Sequence, residues 1–239
     1  MKKTLKSKTL ILLILFFFIV LASCIQKSPR GNPYNLYVVS NIQEYNNQVS
    51  QDSNKALVDI EKLVPNIILD IRYATKNNFT KHKFYRSPRA FARKPVADSL
   101  LKIQNELNKK GIGLKIFDAY KPYSVTVKFY EIYPDTTFIA PPWTGSIHNT
   151  GCAIDVTLID LKTGRELDMP TQFDDFTEKA SHHYMDLPTS VLQNRQLLLD
   201  MMVKYGFIQY DYEWWHYEYK DWKNFELMDI SFEELKYFQ

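Results

Sequence analysis

Cysteine, glycine and histidine are all scarce in this chain: two, seven and five residues among 239. Two cysteines exclude a framework of several disulfides, so the fold must be held by an apolar core. Seven glycines and eleven prolines are too few for a low-complexity or collagen-like chain. No internal repeat at solenoid spacing is present. The longest apolar run, residues 10–21, is shorter than the ~20 residues a membrane-spanning helix needs. Nor is there a surplus of one charge. The formal net charge is +3, and four of the 30 basic residues (Lys2, Lys3, Lys6, Lys8) lie in the first ten positions. Without them 26 basic residues face 27 acidic ones, a net charge of −1 that leaves no basic footprint for nucleic acid.

What is present is the material of a folded domain: 45% hydrophobic residues, 15% aromatic and only 24% charged. A domain of roughly 180 residues would bury about 70% of its unfolded surface. The amino terminus has a different character. A basic start, a short apolar middle and Leu21-Ala22-Ser23-Cys24 describe a secretory leader, and the last four residues resemble a bacterial lipobox whose cysteine carries lipid. The expectation is a lipoprotein signal peptide over 1–24, a polar tether over 25–54 and a folded domain over 55–239. Such a protein would sit in the periplasm or cell envelope, anchored to a membrane through Cys24. Cys152 is then unpaired and reads as a small buried hydrophobe.

From residue 57 onward strands and helices mix without regular βαβ spacing, which predicts an α+β fold around a central antiparallel sheet flanked by helices. Strands are expected over 66–71, 114–117 and 153–158. Pro95 suits a first helical turn, and Val96, Leu100, Ile103 and Leu107 follow at helical spacing up to Gly111. Further helices are expected over 124–133 and 191–205, the latter with Leu192, Leu198, Leu199 and Met202 as core positions. An aromatic hairpin, 207–210 with 215–219, closes the chain.

Two segments carry chemistry. In Ser146-Ile-His148-Asn-Thr-Gly151-Cys-Ala-Ile-Asp155 a loop turns into a strand, with Asp155 on the face opposite Ile154 and Val156. An aspartate flanked by apolar strand residues is costly to bury unless paired or bound to metal. Alone, the segment fits a satisfied structural aspartate as well as a ligand. Glu213-Trp214-Trp215-His216, by itself, reads better as an exposed glutamate and a core-edge histidine in an aromatic strand. Together they supply two histidines and a carboxylate, the three-ligand set of a hydrolytic zinc site, with Glu213 left over as general base.

The order Ser-x-His-x-x-Gly-x-Ala-x-Asp, then Glu-x-Trp-His some sixty residues later, resembles the VanX-type D-alanyl-D-alanine dipeptidases, whose relatives include zinc D,D-carboxypeptidases. Residues 70–79 and 117–122, Phe173-Asp174 and Ser181-His182-His183 extend the resemblance over nearly the whole domain. It implies a hedgehog/DD-peptidase-like fold and one zinc per chain held by His148, Asp155 and His216. It also implies Glu213 as catalytic base, with Ser146 and Asp174 holding the ammonium end of a small D-amino-acid dipeptide. His182 and His183 read as loop-supporting residues, and His82 has no motif context. One departure stands out. Where the family has arginine to polarise the scissile carbonyl, this chain has Lys121, which keeps the charge but loses the planar fork. Either Lys121 reaches the site, the enzyme works less well, or a nearby Arg72 substitutes. Three functions follow: a D-Ala-D-Ala dipeptidase, a D,D-carboxypeptidase on peptidoglycan stems, and a non-catalytic zinc-containing wall-binding lipoprotein.

Overall fold

The computed structural model describes Asn32 and residues 34–236. The leader, Cys24 and residues 25–31 and 33 of the expected tether lie outside the described residues. In chain order the elements are β1 (Val38–Val39), α1 (Ile42–Gln51), β2 (Leu57–Asp59), α2 (Ile60–Leu63), β3 (Ile68–Leu69), β4 (Phe91–Arg93), α3 (Lys94–Asn108), β5 (Ile112–Asp118) and α4 (Tyr123–Ile132). They continue with β6 (Ala153–Asp160), α5 (Thr189–Lys204), β7 (Phe207–Tyr210), β8 (Glu213–Tyr219), β9 (Leu227–Met228) and α6 (Phe232–Lys236). No helix among the described residues is long and apolar enough to cross a membrane.

The expected α+β architecture is found. Its centre is a five-stranded sheet in the order β3-β5-β6-β8-β7. Every pairing is antiparallel except that of the two-residue edge strand β3 with β5. Seven of the eight residues of β6 are buried, so both of its faces are covered. Ile154, Val156 and Leu158 give one face wholly to the core, which leaves Asp155 and Thr157 on the other. Helix α3 lays Val96, Leu100, Ile103 and Leu107 into that core with no exposure, as their spacing predicts, and carries a proline in its first turn. In α5, Leu198 and Met202 are core residues, but Leu192 and Leu199 are only half-buried and Met201 takes the core position instead. The aromatic hairpin is β7–β8, with Trp214, Trp215 and Tyr217 almost fully buried.

The tether expectation needs correction. Residues 38–51 are folded onto the domain. Val39 is fully buried where β1 pairs in parallel with β9. Asn41 caps α1 through Oδ1, which accepts the Gln43 N–H at 2.7 Å. Tyr45 turns inward, and its hydroxyl accepts the Leu57 N–H at 2.7 Å. The helix is polar on most of its surface, and Ile42, Tyr45 and Val49 make only a narrow apolar stripe, spaced three and four residues apart. That stripe is too thin to stand out from a polar sequence.

Candidate active site

Strand pairing assembles the first half of the site. Asp155 on β6 lies directly opposite His216 on β8, and Asp118 at the end of β5 lies opposite Asp155 on its other side. His148 arrives from a 3-10 turn, Ile147–Thr150, whose start is fixed by a reciprocal cap. Ser146 Oγ accepts the His148 N–H at 3.2 Å, while Asn149 Oδ1 accepts the Ser146 N–H at 2.7 Å. The turn ends on Gly151 at φ 79°, where an added Cβ would stand 2.7 Å from Leu57 Cδ2. Only glycine combines that left-handed backbone with that lack of space.

These elements place His148 Nε2 3.2 Å from His216 Nδ1 and 3.4 Å from Asp155 Oδ1, with 3.0 Å between His216 Nδ1 and Asp155 Oδ1. A tetrahedral ion bound at 2.0–2.1 Å needs donors about 3.3 Å apart. The triangle therefore has the dimensions of three corners of such a site, and the three residues can hold a metal ion. The outer nitrogens support this. His148 Nδ1 lies 2.7 Å from the Ala119 carbonyl, to which its N–H donates, leaving the Nε2 lone pair facing inward. His216 Nε2 lies 3.5 Å from Glu218 Oε1, a carboxylate behind a ligating histidine. Burial alone would raise the Asp155 carboxyl, but His148 and His216 hold it well below the usual range. Burial works against positive charge on His216, yet hydrogen bonds to Asp155 and Glu218 push it up to about 10. The cluster is built to hold positive charge.

A small cavity of about 90 Å³ opens over the triangle, and Lys121, Ser146, Asp174 and Glu213 all line it. Every site residue expected within the domain thus converges on one space. Glu213 begins β8 beside a register shift, its Oε2 4.0 Å from His216 Nδ1, and burial pushes its carboxyl up to about 8. Asp174 sits at φ 63°, a left-handed conformation that aspartate tolerates better than most residues. It accepts hydrogen bonds from the Tyr73 hydroxyl at 3.0 Å and the Phe79 N–H at 3.4 Å. Burial raises it to about 7. Lys121 is buried, with Nζ 3.2 Å from Asp118 Oδ2, 4.6 Å from the Phe129 ring centroid and 5.0 Å from that of Tyr73. Its backbone N–H donates to the His148 carbonyl at 3.0 Å, so it is tied to the metal turn.

Arg72 does not substitute for it. That guanidinium pairs with Asp70 at 2.9 Å, stacks over Phe117 and is not among the residues lining the cavity. Nor do the remaining histidines reach the site. The His182 N–H donates to the Asp211 carbonyl, His183 is exposed beside Asp211, and His82 closes a local turn onto Thr80. Three participants escape a reading of the sequence: Tyr73, Asp118 and Glu218. Only Glu218 left a direct signal, since alternation along a strand puts it on the same face as His216.

With this geometry in hand, comparison with known proteins is specific. A family model described as D-Ala-D-Ala dipeptidase matches residues 53–234. The chain belongs to this family. Among relatives, the D-alanyl-D-alanine dipeptidase of Escherichia coli K12 is 31% identical over 176 residues, covering 74% of this chain and 91% of the relative. The D-alanyl-D-alanine dipeptidase of Enterococcus faecium is 31% identical over 182 residues, 68% of this chain and 90% of its own. Two solved structures resemble this D-Ala-D-Ala dipeptidase family member more distantly. A VanY D,D-pentapeptidase in complex with Zn(II) shows 14% identity and a TM-score of 0.36, over 59% of this chain and 79% of that one. The LdcB LD-carboxypeptidase shows 21% and 0.37, over 73% and 78%.

Proposed function

We propose that this protein is a zinc-dependent dipeptidase that hydrolyses D-alanyl-D-alanine to free D-alanine. The observation that carries the reading is the convergence of the His148–Asp155–His216 triangle, Glu213 and Asp174 on one small cavity. A purely structural metal site would need neither of the last two. Family membership supports the substrate class, since the relatives carry that activity in their names.

In this reading His148, Asp155 and His216 would hold one zinc per chain, whose Lewis acidity would make water a nucleophile near neutral pH. Asp174 takes the substrate ammonium, with the Tyr73 hydroxyl fixing its orientation and Ser146 elsewhere on the wall of the same cavity. Glu213 accepts the proton of the attacking water and returns it to the leaving amine, a two-way role suited to a carboxyl lifted towards neutrality. Lys121 offers its ammonium to the oxygen of the scissile carbonyl as negative charge grows there. A cavity of about 90 Å³ lies below the 300–1,000 Å³ common for drug-sized ligands and suits a dipeptide better than a peptidoglycan stem. The sequence of residues 1–24 further supports export and a lipid anchor at Cys24, which would put the enzyme in the cell envelope among wall-derived peptides.

The test is a purified chain beginning at Asn32, assayed for zinc content and for alanine release from D-Ala-D-Ala, an L,L dipeptide and a wall pentapeptide. One zinc, turnover of the D,D dipeptide and at least a 100-fold loss in Glu213→Gln with zinc retained are expected. Zinc bound with no turnover of any peptide would sink the enzyme reading. Turnover of the pentapeptide alone would replace the dipeptidase by a carboxypeptidase.

A further inference from the structure

We propose that Asp118 is a positioning residue for Lys121, holding the lysine ammonium against the wall of the active-site cavity. What Lys121 then does rests on the dipeptidase reading above, whereas the contact between the two residues does not.

Asp118 is the last residue of β5 and is 1% exposed. Its Oδ1 accepts the Tyr85 hydroxyl at 2.9 Å, which fixes the carboxylate plane. Its Oδ2 faces Lys121 Nζ at 3.2 Å, an ionic contact and not a well-aligned hydrogen bond. A carboxylate this deep needs a compensating charge, and Lys121 is the cation that meets it. The need is mutual. Lysine is a point charge on a flexible stem, without the rigid fork that would orient an arginine. Asp155, Asp174 and Glu213 all line the same cavity and compete for its ammonium. The rings of Tyr73 and Phe129 attract that charge without directing it to one point. Asp118 supplies the direction.

Strand register gives the arrangement a second consequence. Asp118 and Asp155 are directly opposed across β5 and β6, and like charges in that position repel. With Lys121 paired to Asp118, the inner carboxylate is neutralised and Asp155 is left to the two histidines. Without Asp118, the ammonium has three carboxylates to move to, and each takes it away from a substrate carbonyl.

The experiment is a double-mutant cycle in the full-length protein with Asp118→Asn, Lys121→Met and the pair combined. It reads kcat and KM on D-Ala-D-Ala, zinc content and melting temperature. Asp118→Asn is expected to lower kcat about 10- to 100-fold, the scale of a misplaced catalytic group, with KM and zinc content little changed. In the Lys121→Met background the same change should alter kcat less than threefold. Lys121→Met alone strands a buried carboxylate, so adding Asp118→Asn should raise its melting temperature. Equal kcat losses in both backgrounds, or an emptied metal site in Asp118→Asn, would overturn the proposal. If the wild-type protein turned over no dipeptide, the dipeptidase reading would fail, and the melting comparison would still decide the pairing. No recovery of melting temperature in the double variant refutes it.

Discussion

Arg93 is the strongest structural commitment outside the active site, and replacing it with methionine gives a measurable consequence. The guanidinium is fully buried at the end of β4. Its Nε–H donates to the Thr150 carbonyl at 2.7 Å, one terminal nitrogen donates to the Lys55 carbonyl, and the other to the Glu226 carbonyl at 3.2 Å. Three stretches remote in sequence meet at this side chain: the end of the metal turn, the approach to β2 and the approach to β9. Methionine keeps the apolar stem and removes all three bonds. Hydrogen bonds from a charged donor contribute about 1.5 kcal/mol or more each, and relief of the buried charge returns part of that. The net loss is about 3 kcal/mol. For a domain of this size it corresponds to a fall in melting temperature of roughly 6–12 °C. Urea titration of Arg93→Met against wild type measures the loss directly, through the midpoint at constant slope. Because Thr150 ends the turn that carries His148, zinc affinity should fall as well. A stability change below about 1 kcal/mol would refute the reasoning, since it would mean the three carbonyls find other partners at no cost.

Two further outcomes are expected. Burial pushes the Asp174 and Glu213 carboxyls up, a bound divalent ion would draw them back down, and both must be ionised for turnover, so kcat/KM on D-Ala-D-Ala should fall on the acid side as they take up protons. The acid limb should approach two log units per pH unit in wild type and one in Asp174→Asn; an identical limb in both would remove Asp174 from substrate binding. Truncation to residue 54 deletes β1 and α1 and exposes the sites that Val39 and Tyr45 cover. It should lower stability by roughly 2–4 kcal/mol, with kcat nearly unchanged in the fraction that remains folded, as calorimetry beside activity would show.

The chemistry of the site was legible in the sequence because two segments carry it together. An aspartate inside Ala-Ile-Asp-Val and a histidine after two tryptophans each have an ordinary reading alone, and only the pair of segments, then the family resemblance, points to one metal. The helices were legible where their apolar stripe is broad, as in α3. Legibility failed where a contact depends on register or on a distant segment. Asp118 follows an apolar strand and looks like an ordinary strand end, and only the pairing of β5 with β6 shows that it opposes Asp155. Tyr73 is one of sixteen tyrosines, and nothing local says that its hydroxyl meets a residue a hundred positions away. Helix α1 precedes the stretch matched by the family model, and its narrow stripe is read correctly only once β9 and Leu57 are beside it.

The charges around the cavity fit a single account. Asp118, Asp155, Asp174 and Glu213 are four carboxylates in or just behind one small space, and Lys121 is the lysine among them. Burial raises Asp118, Asp174 and Glu213 by disfavouring their charged forms, and the neighbouring Asp155 adds to the effect at each. With all four carboxylates ionised, Lys121 would leave three negative charges unmet. A divalent ion between His148, Asp155 and His216 would supply two of the three missing positive charges. The ammonium of a dipeptide would meet Asp174 locally, while the dipeptide's own carboxylate adds a negative charge at its other end. A ligand with a blocked amino terminus brings no such charge and leaves Asp174 desolvated without a partner, at a cost of several kcal/mol. The preference for a free amino terminus over an internal stretch of chain thus follows from the pairing at Asp174 as well as from the size of the cavity. The same pairing explains why Lys121 must stay with Asp118: were it to move to Asp174, it would occupy the place of the substrate.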